Sequence, residues 1–114
     1  MITIEEIRKL ALAFPETDEH PHFDKKAFRV KKKIFATLDE NKKRVMVKLS
    51  LSDQSVFCAF DEKIIYPVPG GWGRQGSTFI ELSKVKKAMF KDALTTAYCT
   101  VAPKKLGELF LPKE

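Results

Sequence analysis

Long apolar runs are missing from this 114-residue chain. Nothing approaches the roughly 18 consecutive apolar residues of a membrane-spanning helix. The opening stretch, MITIEEIRKL, is acidic and periodic rather than basic and then apolar, so a secretory leader is not expected. Cysteine is scarce: Cys58 and Cys99 stand alone, far apart and in apolar surroundings. That pattern fits reduced core thiols in a cytoplasmic protein better than a disulfide framework. The motifs of common enzymes are also lacking. There is no H-E-x-x-H helix, no G-x-S-x-G elbow and no G-x-x-x-x-G-K phosphate loop, so catalysis and a bound cofactor are not expected. Internal repeats, linkers and low-complexity segments are absent too.

What is present suits one domain over residues 1–114 with one core. The chain is 44% hydrophobic and 32% charged, and its nine Phe predict an aromatic interior. The net charge of +6 permits an anionic partner without requiring one. Its placement is more informative. Between Lys25 and Ser50 the chain carries ten Lys and Arg against two acids, whereas the remainder has 11 bases and 13 acids.

The hydrophobic pattern predicts an α+β fold of order α-β-β-β-α-β-β-α-α, with an antiparallel sheet of about five strands. Residues 3–14 read as a helix: Thr3 and Glu6 form a capping box, and Ile4, Ile7, Leu10, Ala11 and Phe14 make one apolar stripe. Pro15 ends it. Residues 16–26, polar and without clear period, read as a loop. Strands follow at 26–30, 33–38 and 44–49, joined by connections short enough to require an antiparallel meander. In the second, Ile34, Ala36 and Leu38 alternate with Lys33, Phe35 and Thr37. In the third, Val45, Val47 and Leu49 alternate with Arg44, Met46 and Lys48. Ser52 is placed to cap a central helix reaching about residue 60. A strand at 64–68 containing Pro67 belongs at an edge. A glycine-rich loop at 69–76 precedes a strand at 77–82. Helices starting at Ser83 and Pro103 complete the chain, and Lys84, Lys87 and Lys91 would form a basic stripe on the first of them.

Several motifs carry competing readings. Gly71-x-Gly73-x-x-Gly76 matches the dinucleotide fingerprint by spacing, but a strand follows where a helix N-terminus is needed. Glycines with positive φ explain it more simply. Trp72 in that loop either packs back onto the sheet or stacks on a base while Arg74 contacts an anion. His20 and His22, beside Asp18, Glu19 and Asp24, either order a loop or share a metal. Lys31, Lys32 and Lys33, and Lys42, Lys43 and Arg44, read either as solvated turns or as contacts for phosphates. In a meander these two clusters lie at opposite ends of one strand, on the order of 20 Å apart.

Four segments give the chain a familiar look: ALAFPET at 11–17, HPHFDKKAFRVKKKIFATL at 20–38, GGWGRQGSTFIEL at 70–82 and AYCTVAPKKL at 97–106. Together they resemble the MmcQ/YjbR-like family of small bacterial proteins, from the first helix to Leu106. The resemblance implies an antiparallel sheet flanked by helices and a DNA-binding role through a "double wing" arrangement similar to that of frataxin-like and secretion-chaperone folds. Family members often place glycine in the hairpin turn after F-R-V, where this chain has Lys31-Lys32-Lys33. Either the loop is longer here, or strain is accepted to put charge at the tip. The expectation is therefore a non-enzymatic DNA-binding domain. It would use Arg29, Lys31, Lys32, Lys33, Lys42, Lys43 and Arg44, with Trp72 and Arg74 as secondary contacts. A protein-interaction or chaperone-like module on an exposed sheet face is the alternative, and a small-ligand or metal site the third.

Overall fold

The computed structural model describes residues 2–110. The chain runs α1 (Ile4–Ala13), β1 (Thr17–His22), β2 (Lys25–Val30), β3 (Lys33–Asp39), β4 (Arg44–Lys48), α2 (Leu51–Cys58), β5 (Ile65–Pro67), α3 (Gly71–Arg74), β6 (Ser77–Glu81), α4 (Lys87–Val101) and α5 (Lys104–Gly107). All six strands form one antiparallel sheet in the order β1-β2-β3-β4-β6-β5.

One strand more than expected is present. Residues 17–22, read as loop, form β1, paired residue for residue with β2 from Thr17↔Val30 to His22↔Lys25. An edge strand facing water needs no apolar alternation, so TDEHPH hides its period from a hydrophobicity reading. Pro21 is tolerated because an edge strand leaves one row of its backbone groups outside the ladder. Pro67 occupies the opposite edge, as its sequence predicts.

The caps follow sequence closely at the start and less so later. Thr3 and Glu6 form the expected reciprocal capping box. In α2 the cap is Ser50, whose hydroxyl accepts the Asp53 amide at 3.1 Å, two residues before the predicted Ser52. Either serine suits an N-cap. The helix predicted from Ser83 begins at Lys87 instead. The intervening turn, held by Val85 N–H to Glu81 O at 3.1 Å, still buries Val85. Lys84 therefore lies off the helix and Lys87 is paired with Glu6 at 2.7 Å, so the three-lysine stripe does not form.

Helices cover one face of the sheet. On that face Phe28, Val30, Ala36, Leu38, Val45, Val47, Ile65 and Ile80 are buried, against Phe90, Ala93, Leu94, Ala97 and Tyr98 of α4. Simple alternation placed Phe35 opposite Ala36 and Leu38. The register shift between Phe28 and Arg29 instead makes Phe35 an extra residue in β3. The bulge turns Phe35 into the core, edge-on to Tyr98 at 5.6 Å.

The glycine-rich segment is less a loop than a clamp. Gln54, buried in α2, donates Nε2 to Gly73 O at 2.9 Å, Ser77 O at 3.2 Å and Thr78 Oγ1 at 3.1 Å. A Cβ on Gly73 would sit 1.9 Å from Val68 O, and one on Gly76 1.9 Å from Leu49 O. Those two glycines exist for close backbone approach, and Gly76 also sits at φ 105°. Replacing Gln54 by Ala leaves buried acceptors unsatisfied. Urea unfolding of Gln54→Ala is predicted to show a loss of about 2–3 kcal/mol; a loss under roughly 0.5 kcal/mol would contradict the clamp.

The β2–β3 connection is a two-residue turn closed by Val30↔Lys33. Lys31 and Lys32 take φ 48° and 69°. The loop is thus not lengthened: two lysines occupy the left-handed conformation that Asn-Gly adopts readily. Their strain is on the order of 2 kcal/mol together. The double variant Lys31→Asn, Lys32→Gly is predicted to raise unfolding stability by roughly 1–2 kcal/mol, and a destabilised variant would show that the turn is not strained.

Candidate nucleic-acid interface

Strand direction sorts the basic residues into two ends. At one end, here the Lys31 end, lie the β2–β3 turn, the last residue of β4 (Lys48, paired with Ser77) and α3, which precedes β6. Because β4 and β5 are each antiparallel to β6, they run parallel to one another, and α2 returns the chain between them. The GGWGRQG segment therefore reaches the Lys31 end. Lys42 and Lys43 sit at the far end of β3, about 20 Å away at 3.3 Å per residue.

The two ends differ in charge. Lys31, Lys32, Lys33, Lys48 and Arg74 are all exposed, and none forms an ion pair among the described residues. At the Lys42 end the cations are interleaved with acids. Lys25 pairs with Asp24 at 3.3 Å and Lys26 with Glu40 at 3.4 Å. Asp39 accepts the Lys42 amide at 3.1 Å.

Two of the arginines singled out from sequence are otherwise engaged. Arg29 donates Nε and Nη2 to the two oxygens of Asp18, at 2.8 and 2.9 Å. The paired guanidinium holds the Asp18 carboxyl below its ordinary range. Arg44 is half-buried, with its guanidinium 3.8 Å from the centre of the Phe79 ring. Its Nε is buried without a hydrogen-bond partner, a cost of about 1–3 kcal/mol.

Trp72 does not pack back onto the sheet. It is 68% exposed on a one-turn helix that Gln54 bolts to the fold, beside exposed Arg74. The expected stacking alternative is thus sterically open. The glycine spacing around it is used for packing, and the strand β6 follows directly, as the sequence predicts.

Sequence reasoning expected an exposed sheet face but did not identify the residues that line it. One row crosses all six strands: His20, Ala27, Thr37, Met46, Phe79 and Tyr66 are successive cross-strand partners. Met46, Phe79 and Tyr66 are half-buried and lie outside the core cluster. Tyr66 donates its hydroxyl to Glu81, and that bond, with burial, pushes its pKa up. The alternation of Arg44, Met46 and Lys48 placed them on one side of β4. What lay beside them depended on β6, whose position no local pattern reveals.

The remaining candidates gain little. His20 and His22 share a face of β1, but no group of three or more His, Cys, Asp or Glu able to hold a metal occurs among the described residues. Cys58 and Cys99 are free and half-buried, and burial raises both thiol pKa values, the opposite of activation. No helix among the described residues is long and apolar enough to cross a membrane.

The comparisons with known proteins agree with this fold. A crystal structure of Deinococcus radiodurans protein DR2400, described as a DUF419 domain, matches with a TM-score of 0.79 at 20% identity, covering 98% of this chain and 91% of that one. At that identity the likeness speaks for the fold alone. No curated protein matches. The family model named YjbR matches residues 12–100, the whole sheet and nearly all of α4, and the chain therefore belongs to the YjbR family.

Proposed function

We propose that this YjbR-family protein is a non-enzymatic nucleic-acid-binding domain, with DNA the first candidate ligand, that grips phosphates with the Lys31 end of its sheet. The observation that carries the reading is the set of five exposed cations, Lys31, Lys32, Lys33, Lys48 and Arg74, none in an ion pair among the described residues. Two of them sit in a backbone conformation that costs stability. Strain kept at an exposed turn points to a use for the side chains it presents. Trp72 and Arg74 are the secondary contacts at this end. Lys42 and Lys43 are likewise exposed and in no ion pair among the described residues. We rank them second because Asp24, Asp39 and Glu40 lie at their end of the sheet; Arg29 and Arg44 serve structure before phosphates.

Phosphate contacts release counterions, so affinity falls with salt at about 0.9 logarithmic units per contact on a duplex and 0.7 on a single strand. The double variant Lys31→Glu, Lys33→Glu is predicted to flatten that slope by about two contacts. Lys42→Glu with Lys43→Glu is predicted to change it by less than one. Binding that ignores salt, or equal effects of the two double variants, would overturn the assignment.

A second reading, a protein-docking module, draws on a different surface. Leu51, Val56 and Phe60 are exposed on and just beyond α2. Capture of one stable protein partner, lost on Val56→Asp with Phe60→Asp, together with no nucleic-acid shift at low salt, would favour it.

A further inference from the structure

The uncovered sheet face has a chemistry that phosphate contacts alone do not use. The Arg44 guanidinium carbon lies 3.8 Å from the centre of the Phe79 ring, a cation–π contact. Tyr66 meets Phe79 at 5.8 Å between ring centres, and Met46 is the next cross-strand partner of Phe79. Of the acids of this face, Asp18 is paired with Arg29, Glu81 accepts the Tyr66 hydroxyl and Asp39 the Lys42 amide, and the last two flank Arg44 as its cross-strand partners. The exposed cation beside the row, Lys48, forms no ion pair among the described residues. It lies two residues along β4 from Met46, about 7 Å at strand rise. The Lys31–Lys33 turn, which joins the neighbouring strand β3 to β2, lies one to two strand spacings further, roughly 5–10 Å.

From this arrangement we infer that the open face is a stacking platform for unpaired bases, so that the preferred ligand is a single strand rather than a duplex. The inference rests on the nucleic-acid reading above and deepens it. Bases of a duplex are stacked on one another and present only edges and phosphates, which a flat sheet face cannot enter. An unpaired base has a free π-face, and Arg guanidinium planes and aromatic rings are the surfaces that receive it. The exposed side of the Arg44 guanidinium takes a base, with Phe79 behind it. Lys48, four residues and about 13 Å along β4 from Arg44, and the Lys31–Lys33 turn beyond it then meet phosphates further along the same single strand. Arg44 is the cross-strand partner of Asp39 on one side and Glu81 on the other, yet it forms no ion pair with either among the described residues, and its Nε has no hydrogen-bond partner.

Arg44→Lys separates stacking from charge, since lysine keeps the cation and loses the plane. Fluorescence anisotropy with a labelled 15-nucleotide oligo-dT and with a duplex of the same length is the test. Thermal unfolding of each variant would establish that it is folded. The inference predicts that the original protein prefers the single strand. It also predicts that Arg44→Lys weakens single-strand binding about 10-fold, leaves duplex binding within about two-fold, and leaves the salt slope unchanged. Wild-type single-strand binding by Arg44→Lys, or equal losses on both ligands, overturns the platform. If Lys31→Glu with Lys33→Glu abolishes binding while Arg44→Lys does not, the platform falls and the basic end stands. If neither ligand binds the original protein at low salt, both fall.

Discussion

Tyr98 stacks on Phe14 at 4.5 Å, meets Phe35 edge-on at 5.6 Å and donates its hydroxyl to the Pro15 carbonyl at 2.8 Å. This cluster ties α4 to the end of α1 and to the centre of the sheet. Aromatic contacts of this kind add about 0.5–1.5 kcal/mol each beyond the area they bury. The bulge at Phe35 serves the same cluster, since it brings one more large ring to the helical side of β3. With that side so rich in aromatic side chains, the sheet is buried on one face only. The opposite face must then satisfy itself, with small buried residues such as Ala27 and Thr37 between ion pairs and hydrogen bonds.

One-sided burial shapes the ends of the sheet as well. Strands that pack on one face alternate regularly, and their turns emerge beyond the helices into water. The chain then treats its two ends differently. At the Lys42 end, acids sit among the lysines and form pairs with them. Both ends hold a lysine in the left-handed conformation, Lys31 and Lys32 at one and Lys43 at the other, but only at the Lys31 end does the α2–α3 clamp hold Trp72 and Arg74 outward. Salt screens exposed charges beyond about 10 Å, so the two ends act as separate electrostatic regions and not as one patch.

Much of the fold was legible in the sequence where local chemistry decides. The Thr3–Glu6 box, the strict alternation of β4 and the edge proline Pro67 each follow from a short pattern. The polar strand β1 was not legible, because its order comes from backbone pairing with β2 and its side chains carry no apolar period. Nor was the Phe35 bulge, which depends on a ring 63 positions away in sequence. The site was legible in the same proportion. The lysine turns announce themselves. The engagement of Arg29 by Asp18 and of Arg44 by Phe79 arises only once β1 and β6 are set beside their neighbours.

The central claim is that this YjbR-family domain meets nucleic acid at its Lys31 end and along the adjoining open face. Titrating the 15N-labelled protein with oligo-dT and following amide and indole resonances tests it most directly. The account predicts shifts clustered at residues 31–33 and 44–48, at Phe79 and at the Trp72 indole, with residues 22–25 and 40–42 unmoved. Shifts confined to the Lys42 end or to α2, or none at low salt, would contradict it.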